Sequence, residues 1–320
     1  MSDKPVLWIP RKLSEATLER AARDYDVIIN YGDGLQSGDD LVAMSARVDA
    51  ILPCHSELFS AEVAARLDPR LKIIANHSVG VDHCDLPALK ARGIVVTNTP
   101  DVLSDATAEI AMLLLLGAAR RAPEGDAMVR TGAWDFWSPS FMVGKQVSGA
   151  RLGIIGMGRV GQVMARRARG FDMQVHYFNR SRLPDALEKG AQYHDNVESL
   201  LEVSDFLSLH CPATPQTTGL MDERHFNLLP RGAVLVNTAR GALVDENALL
   251  AAIESGRLAA AGLDCFVTEP GGNPGFAAHQ NIFMLPHIGS ATGRTRDAMG
   301  FRALDNLDAF FAGATPKDQL

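Results

Sequence analysis

The stretch Arg151 to Gly161, RLGIIGMGRVG, constrains the fold more than any other part of the chain. The apolar run Leu152 to Ile155 reads as a buried strand and leads into Gly156-x-Gly158-x-x-Gly161, after which QVMARRARG has helical spacing. Strand, glycine turn and helix in that order are the context in which this fingerprint binds a dinucleotide. Gly156 suits the tight turn, Gly158 lets the backbone approach a pyrophosphate, and Gly161 lets the helix pack closely on the strand. The helix start, with free N–H groups and a favourable dipole, attracts the phosphates. The bland alternative is a tight βα turn with no ligand. A second strand, Met173 to Asn179, ends about 20 residues on, where ribose recognition is expected, and favours the dinucleotide reading.

At 320 residues the chain exceeds what one core comfortably supports, so two domains are expected. Strands read at Val6–Ile9, Val27–Tyr31, Ala50–Cys54, Lys72–Asn76 and Ile94–Asn98, with helices after Ser14, in 39–46, after Ser60 and after Asp85. That alternation implies βαβ crossovers and a parallel sheet. With no glycine-rich phosphate turn, this half is expected to hold a substrate, at the strand-end turns Pro53–Ser56 and His77–Asp82. A helix capped by Ser104 or Asp105 follows, apolar on nearly every face to Ala119 and therefore buried. Beyond the fingerprint, strands read at Asp205–His210, Ala233–Thr238, Ala260–Cys265 and Ile282–Leu285, and Asp245 starts a helix that Gly256 stops. A last helix, about Thr292 to Phe311, is expected to return to the first domain and make it discontinuous. Residues 122–148 read as an irregular excursion with two of the three tryptophans. Its aromatic segment Trp134–Phe141 suggests a homodimer interface; a loop folded back on its own subunit is the alternative.

Net charge and apolar runs narrow the partners. A charge of −7 argues against a broad nucleic-acid surface. The longest apolar run, Ile110 to Ala119, is far short of the ~20 residues that span a bilayer, so no membrane partner is expected. The N-terminal residues show no charged start followed by an apolar core, and Cys54, Cys84, Cys211 and Cys265 have no metal-binding spacing. A cytoplasmic location is expected.

Four candidate chemical groups fall at strand ends or in the loops after them: Arg240, Asp264, Glu269 and His287. An arginine can grip a carboxylate in a bidentate fork. A histidine can protonate a forming alkoxide, and an adjacent carboxylate stabilises its charged form. Each residue alone also has a structural reading, as an ion pair, a cap or a solvated loop charge; their joint placement beside a dinucleotide turn gives them weight.

The pieces GMGRVG at 156–161, NTARG at 237–241, LDCFVTEP at 263–270, LPHIGSAT at 285–292, NHSVGVDHCD at 76–85 and TNTPDVLSDATAE at 97–109 resemble the D-isomer-specific 2-hydroxyacid dehydrogenases, most of all the glyoxylate/hydroxypyruvate reductases. The resemblance implies an α/β fold of two doubly wound parallel-sheet domains: a flavodoxin-like substrate domain, 1–101 plus 291–320, and a Rossmann cofactor domain, 102–290. It implies that His287 is the acid/base, Glu269 its charge partner and Arg240 the group that orients a 2-keto acid, with Val79 and Gly80 holding the substrate carboxylate. Arg159 and Val160 would contact the pyrophosphate in the turn formed by Gly156, Gly158 and Gly161; Cys211, Pro212, Thr238 and Ala239 would line the nucleotide crevice; Asp264 would lie near the nicotinamide, and Gly289 would also belong to the cofactor site.

Asn179 departs from the family, many of whose members carry an acidic residue there. NADPH is therefore expected to be preferred, with NADH possible: Arg180 offers a fork to a 2′-phosphate, Ser181 a hydroxyl, and Arg182 a supporting field. A relative acting on a bulkier keto acid such as phenylpyruvate or 2-ketogluconate, and a dinucleotide-sensing binding protein of the same fold, remain the alternatives.

Overall fold

The computed structural model describes residues 4–320. The chain divides into two compact units, Met1–Leu103 with Ser290–Leu320, and Ser104–Gly289. In the first, β1 (Val6–Ile9), β2 (Asp26–Ile29), β3 (Ala50–Ile51), β4 (Ile73–Ala75) and β5 (Val95–Thr97) form a parallel sheet ordered β2-β1-β3-β4-β5. This is the flavodoxin-like order. The helix Gly293–Phe311 belongs to this unit: Ala303, Leu304 and Leu307 join Leu7, Ile9, Ile73 and Ala75 in one apolar cluster. Arg20 pins it with Nη2 at 2.7 Å from Asp305 and 2.6 Å from Asp308.

In the second unit, β6 (Arg151–Ile155), β7 (Gln174–Phe178), β8 (Gln192–His194), β9 (Phe206–Leu209), β10 (Ala233–Asn237), β11 (Leu258–Leu263) and β12 (Ile282–Met284) form a parallel sheet ordered β12-β11-β10-β9-β6-β7-β8. The register keeps the carboxyl ends level: Ile155 lies beside Phe178 and Leu209, Asn237 beside Leu209 and Leu263, and Leu263 beside Met284. Every loop that leaves those ends therefore starts from one rim. The order reverses between β6 and β9, where a doubly wound sheet opens its ligand crevice.

The helix Ser104–Ala119 packs on β10, β11 and the helix Arg159–Arg169. Asp105, Glu109 and Leu113, four apart, form its narrow exposed stripe. Several elements differ from the sequence reading, among them the additional short helices Asp185–Glu188, Val197–Leu201 and Glu223–Leu228. Part of the expected irregular excursion is a helix, Ala122–Arg130, started by Pro123 in its first turn. The strand β8 is additional, a short edge strand whose residues, Gln-Tyr-His, carry no apolar pattern.

Candidate active site

The fingerprint turn lies against the start of the loop after β9. Gly156 has φ +96° and a Cβ there would sit 2.5 Å from the Cys211 nitrogen, so only glycine fits. A Cβ at Gly161 would collide with the Gly156 carbonyl, which is the close helix-on-strand packing expected of the third glycine. At Gly158, the N-cap of the helix Arg159–Arg169, a Cβ would meet nothing within 4 Å. That open space lies before the helix N–H groups, including the positions of Arg159 and Val160. On the same rim, after β10, Thr238 has a buried Oγ1 with no hydrogen-bond partner among the described residues. An open cradle at a helix start and an unsatisfied hydroxyl both fit a bound dinucleotide. Cys211 and Pro212 continue the rim beyond β9; burial pushes the Cys211 thiol up to about 11, so at neutral pH it is a protonated wall and no nucleophile.

Asn179, at the end of β7, accepts the Met157 N–H on Oδ1 at 2.6 Å. A backbone N–H can bond only to the amide oxygen, which fixes the orientation of the side chain and leaves Nδ2 as its donor end. Arg180 and Ser181 follow, both exposed. Arg182, expected from the sequence to add field beside them, is instead committed to Glu188 through Nε at 2.8 Å and Nη2 at 2.9 Å.

The loops after β11 and β12 bring the acid/base candidates together. His287 Nδ1 lies 2.6 Å from Glu269 Oε2, with the two side chains 30% and 24% exposed. The other Glu269 oxygen accepts the Phe266 N–H at 2.7 Å, which holds the carboxylate in place. His287 itself has φ +53°, a costly conformation for a non-glycine residue that its surroundings must enforce. Asp264 supplies part of that enforcement: its buried carboxylate accepts the Ile288 N–H at 2.8 Å and a bond from the Gly289 N–H. Burial raises its carboxyl above the usual range, against the lowering by those two bonds and by His287. Asp264 thus clamps the turn that carries His287, and at Gly289 a Cβ would approach its Oδ2 to 3.1 Å.

Arg240 follows the Thr238-Ala239 turn, where Asn237 donates to the Arg240 carbonyl at 2.8 Å and accepts the Ala239 N–H at 3.0 Å. A Cβ at Gly241 would clash with the backbone of Phe266 and Val267, so the Arg240 loop and the Glu269 loop touch through backbone. Glu246 is a residue the sequence reading missed. At the first turn of the helix Glu246–Glu254, it accepts the Val267 N–H at 3.0 Å and the Asn273 amide at 2.9 Å, bracing the loop that carries Glu269. From sequence it is only an acidic residue after a cap.

Val79 and Gly80 lie on the first unit, in the turn after β4. The Val79 carbonyl accepts from Asn98 Nδ2 and the Gly80 carbonyl from Ser78 Oγ, each at 2.8 Å. Among the described residues neither of their N–H groups meets a protein acceptor, so the turn carries two donors suited to an anion.

A family model described as D-isomer specific 2-hydroxyacid dehydrogenase, NAD binding domain, matches residues 112–289. The chain belongs to that family. The dehydrogenase is 46% identical over 316 residues to a glycerate dehydrogenase of Hyphomicrobium methylovorum, covering 98% of each chain. It is 41% identical over 318 residues to a glyoxylate reductase of Thermococcus litoralis, covering 98% of this chain and 96% of the relative. Among solved structures, an NADPH-dependent glyoxylate/hydroxypyruvate reductase of Sinorhizobium meliloti, in complex with NADP and malonate, superposes with a TM-score of 0.88 at 31% identity, over 99% of this chain and 97% of that one. The protein is therefore an oxidoreductase whose larger unit takes a nicotinamide dinucleotide. Among the described residues, no helix of this dehydrogenase is long and apolar enough to cross a membrane.

Proposed function

We propose that this dehydrogenase reduces a short 2-keto acid, of the size of glyoxylate or hydroxypyruvate, to the 2-hydroxy acid, and that it prefers NADPH to NADH. The observation that carries the reaction is the 2.6 Å contact between His287 Nδ1 and Glu269 Oε2. A carboxylate only accepts, so Nδ1 holds its proton in that bond and Nε2 is the nitrogen that gives or takes one. A nicotinamide dinucleotide, when bound, supplies the hydride. His287 protonates the substrate oxygen as C2 is reduced, Glu269 stabilises the charged ring, and Arg240 orients the substrate carboxylate with its guanidinium fork. On the first unit, the Val79 and Gly80 N–H groups are the donors we assign to a carboxylate. The names of the glycerate dehydrogenase and glyoxylate reductase relatives support a short acid. Loss of NADPH absorbance with glyoxylate, hydroxypyruvate, phenylpyruvate and 2-ketogluconate tests the reading: kcat/KM is expected to be highest for the first two. Turnover of none would favour a dinucleotide-sensing binding protein.

The NADPH preference rests on the donor character of the β7 end. With Oδ1 spent on Met157, Asn179 offers Nδ2 where an acidic side chain would repel a 2′-phosphate, and Arg180 and Ser181 add a fork and a hydroxyl. The S. meliloti reductase, described as NADPH-dependent, supports the same choice.

We also propose a homodimer, held in part by the segment around Trp134–Phe141. Trp134, Phe136 and Trp137 are 55%, 59% and 72% exposed, although Trp134 Nε1 donates to the Phe136 carbonyl at 2.8 Å and Phe136 stacks edge-on to Phe141 at 4.8 Å. Such a locally ordered aromatic surface suits an interface core. Light scattering is expected to give twice the chain mass, and replacing Trp134 and Trp137 together by Ser to shift it toward one; a wild-type monomer at micromolar concentration contradicts the proposal. The free thiols of Cys54, Cys84, Cys211 and Cys265 support a cytoplasmic location.

A further inference from the structure

Beyond the β7 end lies a polar network that no step of the reaction uses. Glu188, 5% exposed, accepts from the Tyr177 hydroxyl at 2.5 Å on Oε1, from Arg182 Nε at 2.8 Å on the same oxygen, and from Arg182 Nη2 at 2.9 Å on Oε2. The fully buried Tyr177 hydroxyl accepts the Leu183 N–H at 3.0 Å. Arg182 also lies over the Tyr193 ring on β8, 5.9 Å from its centroid, and Arg169 binds the Glu188 carbonyl at 2.9 Å. The paired Arg182, with the Tyr177 hydroxyl, holds the Glu188 carboxyl down at about 2, so the ion pair persists throughout the working pH range.

The network joins residues on both sides of a short loop. Tyr177 precedes the tip Asn179-Arg180-Ser181, and Arg182 and Leu183 follow it, so the hydroxyl-to-N–H bond closes the loop at its base. At its start, Asn179 is tied to the fingerprint turn through Met157. The tip thus has both ends fixed, and only Arg180 and Ser181 project from it into solvent.

We infer that the Tyr177–Glu188–Arg182 staple is a positioning device for cofactor choice: it sets the geometry from which Arg180 and Ser181 meet a 2′-phosphate, without touching the cofactor itself. The inference rests on the NADPH reading above. It also assigns the two neighbouring arginines opposite duties, since Arg182 is neutralised by Glu188 while Arg180 keeps its fork for the ligand.

The test compares binding of adenosine 2′,5′-bisphosphate and adenosine 5′-monophosphate, which differ by the one phosphate, to the full chain by calorimetry. The wild type is expected to prefer the bisphosphate. Arg182→Lys, which keeps the charge but loses the fork, and Glu188→Gln are each expected to cut that preference about tenfold while leaving monophosphate affinity unchanged. The triple variant Arg180→Ala/Ser181→Ala/Glu188→Gln should be no worse than Arg180→Ala/Ser181→Ala, because the staple acts through those two residues. Should Glu188→Gln fail to fold, Arg182→Lys and Tyr177→Phe carry the comparison. If folded staple variants keep or increase the preference while Arg180→Ala loses it, the inference is overturned and the NADPH reading stands. If the wild type does not distinguish the two nucleotides, both are overturned.

Discussion

Replacing His287 by Ala is expected to lower kcat by about 10²–10⁴-fold, the usual contribution of a positioned acid/base group, with little change in dinucleotide affinity. The ring sits on a left-handed residue, its turn clamped by Asp264 and its Nδ1 bound to Glu269, so the ring is held in one orientation with Nδ1 committed. Glu269→Gln should be milder. A glutamine carbonyl can still accept from Nδ1 and hold the ring, but the bond is no longer charge-assisted. Charge-assisted bonds exceed neutral ones by roughly 1–2 kcal/mol, which corresponds to about a 5- to 30-fold loss in kcat. Stopped-flow turnover and an independent dinucleotide titration separate the two effects. A His287→Ala enzyme with near wild-type kcat would remove His287 from the chemistry, and a Glu269→Gln loss equal to that of His287→Ala would show that orientation depends on the charge as well.

The second large effect is expected at the β7 end. In Asn179→Asp one carboxylate oxygen can keep the Met157 N–H, and the other then faces the ribose as a charged acceptor. That oxygen accepts from ribose hydroxyls and repels a 2′-phosphate. The ratio of kcat/KM for NADPH to that for NADH is expected to fall by about 10- to 100-fold, the value of one charge-assisted hydrogen bond at 1.5–3 kcal/mol. Arg180→Ala should reduce the NADPH value alone, because NADH has no phosphate to lose. Equal losses for both cofactors in Arg180→Ala would mean that the guanidinium does not read the 2′-phosphate.

How far the fold could be read in advance depended on how local its causes are. The glycine fingerprint was legible because two of its three glycines answer a nearby steric demand, Gly156 against the Cys211 backbone and Gly161 against the Gly156 carbonyl, while Gly158 leaves open space at the helix start. The apolar strands of both sheets were legible for the same reason, their buried faces being written as Val, Ile, Leu and Ala runs. β8 was not, since an edge strand of Gln, Tyr and His pairs through backbone and needs no apolar pattern. The helix Ala122–Arg130 was hidden by Pro123 and Gly125, which read as breakers although proline is well tolerated in a first helical turn. In the site, Arg240, Glu269 and His287 could be named from motifs that lie far apart in the chain. The pairing of Arg182 with Glu188 could not, because it depends on how the helix Asp185–Glu188 turns its last residue back toward β7. Nor could the role of Glu246, whose partners Val267 and Asn273 lie in a loop more than 20 residues away.

The central claim is hydride delivery to C2 of a short 2-keto acid with a proton from His287. Its most direct test is to incubate the enzyme with hydroxypyruvate and NADPH carrying deuterium at the transferable nicotinamide position, and to examine the product by mass spectrometry and NMR. The account predicts glycerate with a single deuterium at C2, formed by the wild type and nearly abolished in His287→Ala. No consumption of hydroxypyruvate or glyoxylate, or glycerate without deuterium at C2, would contradict it.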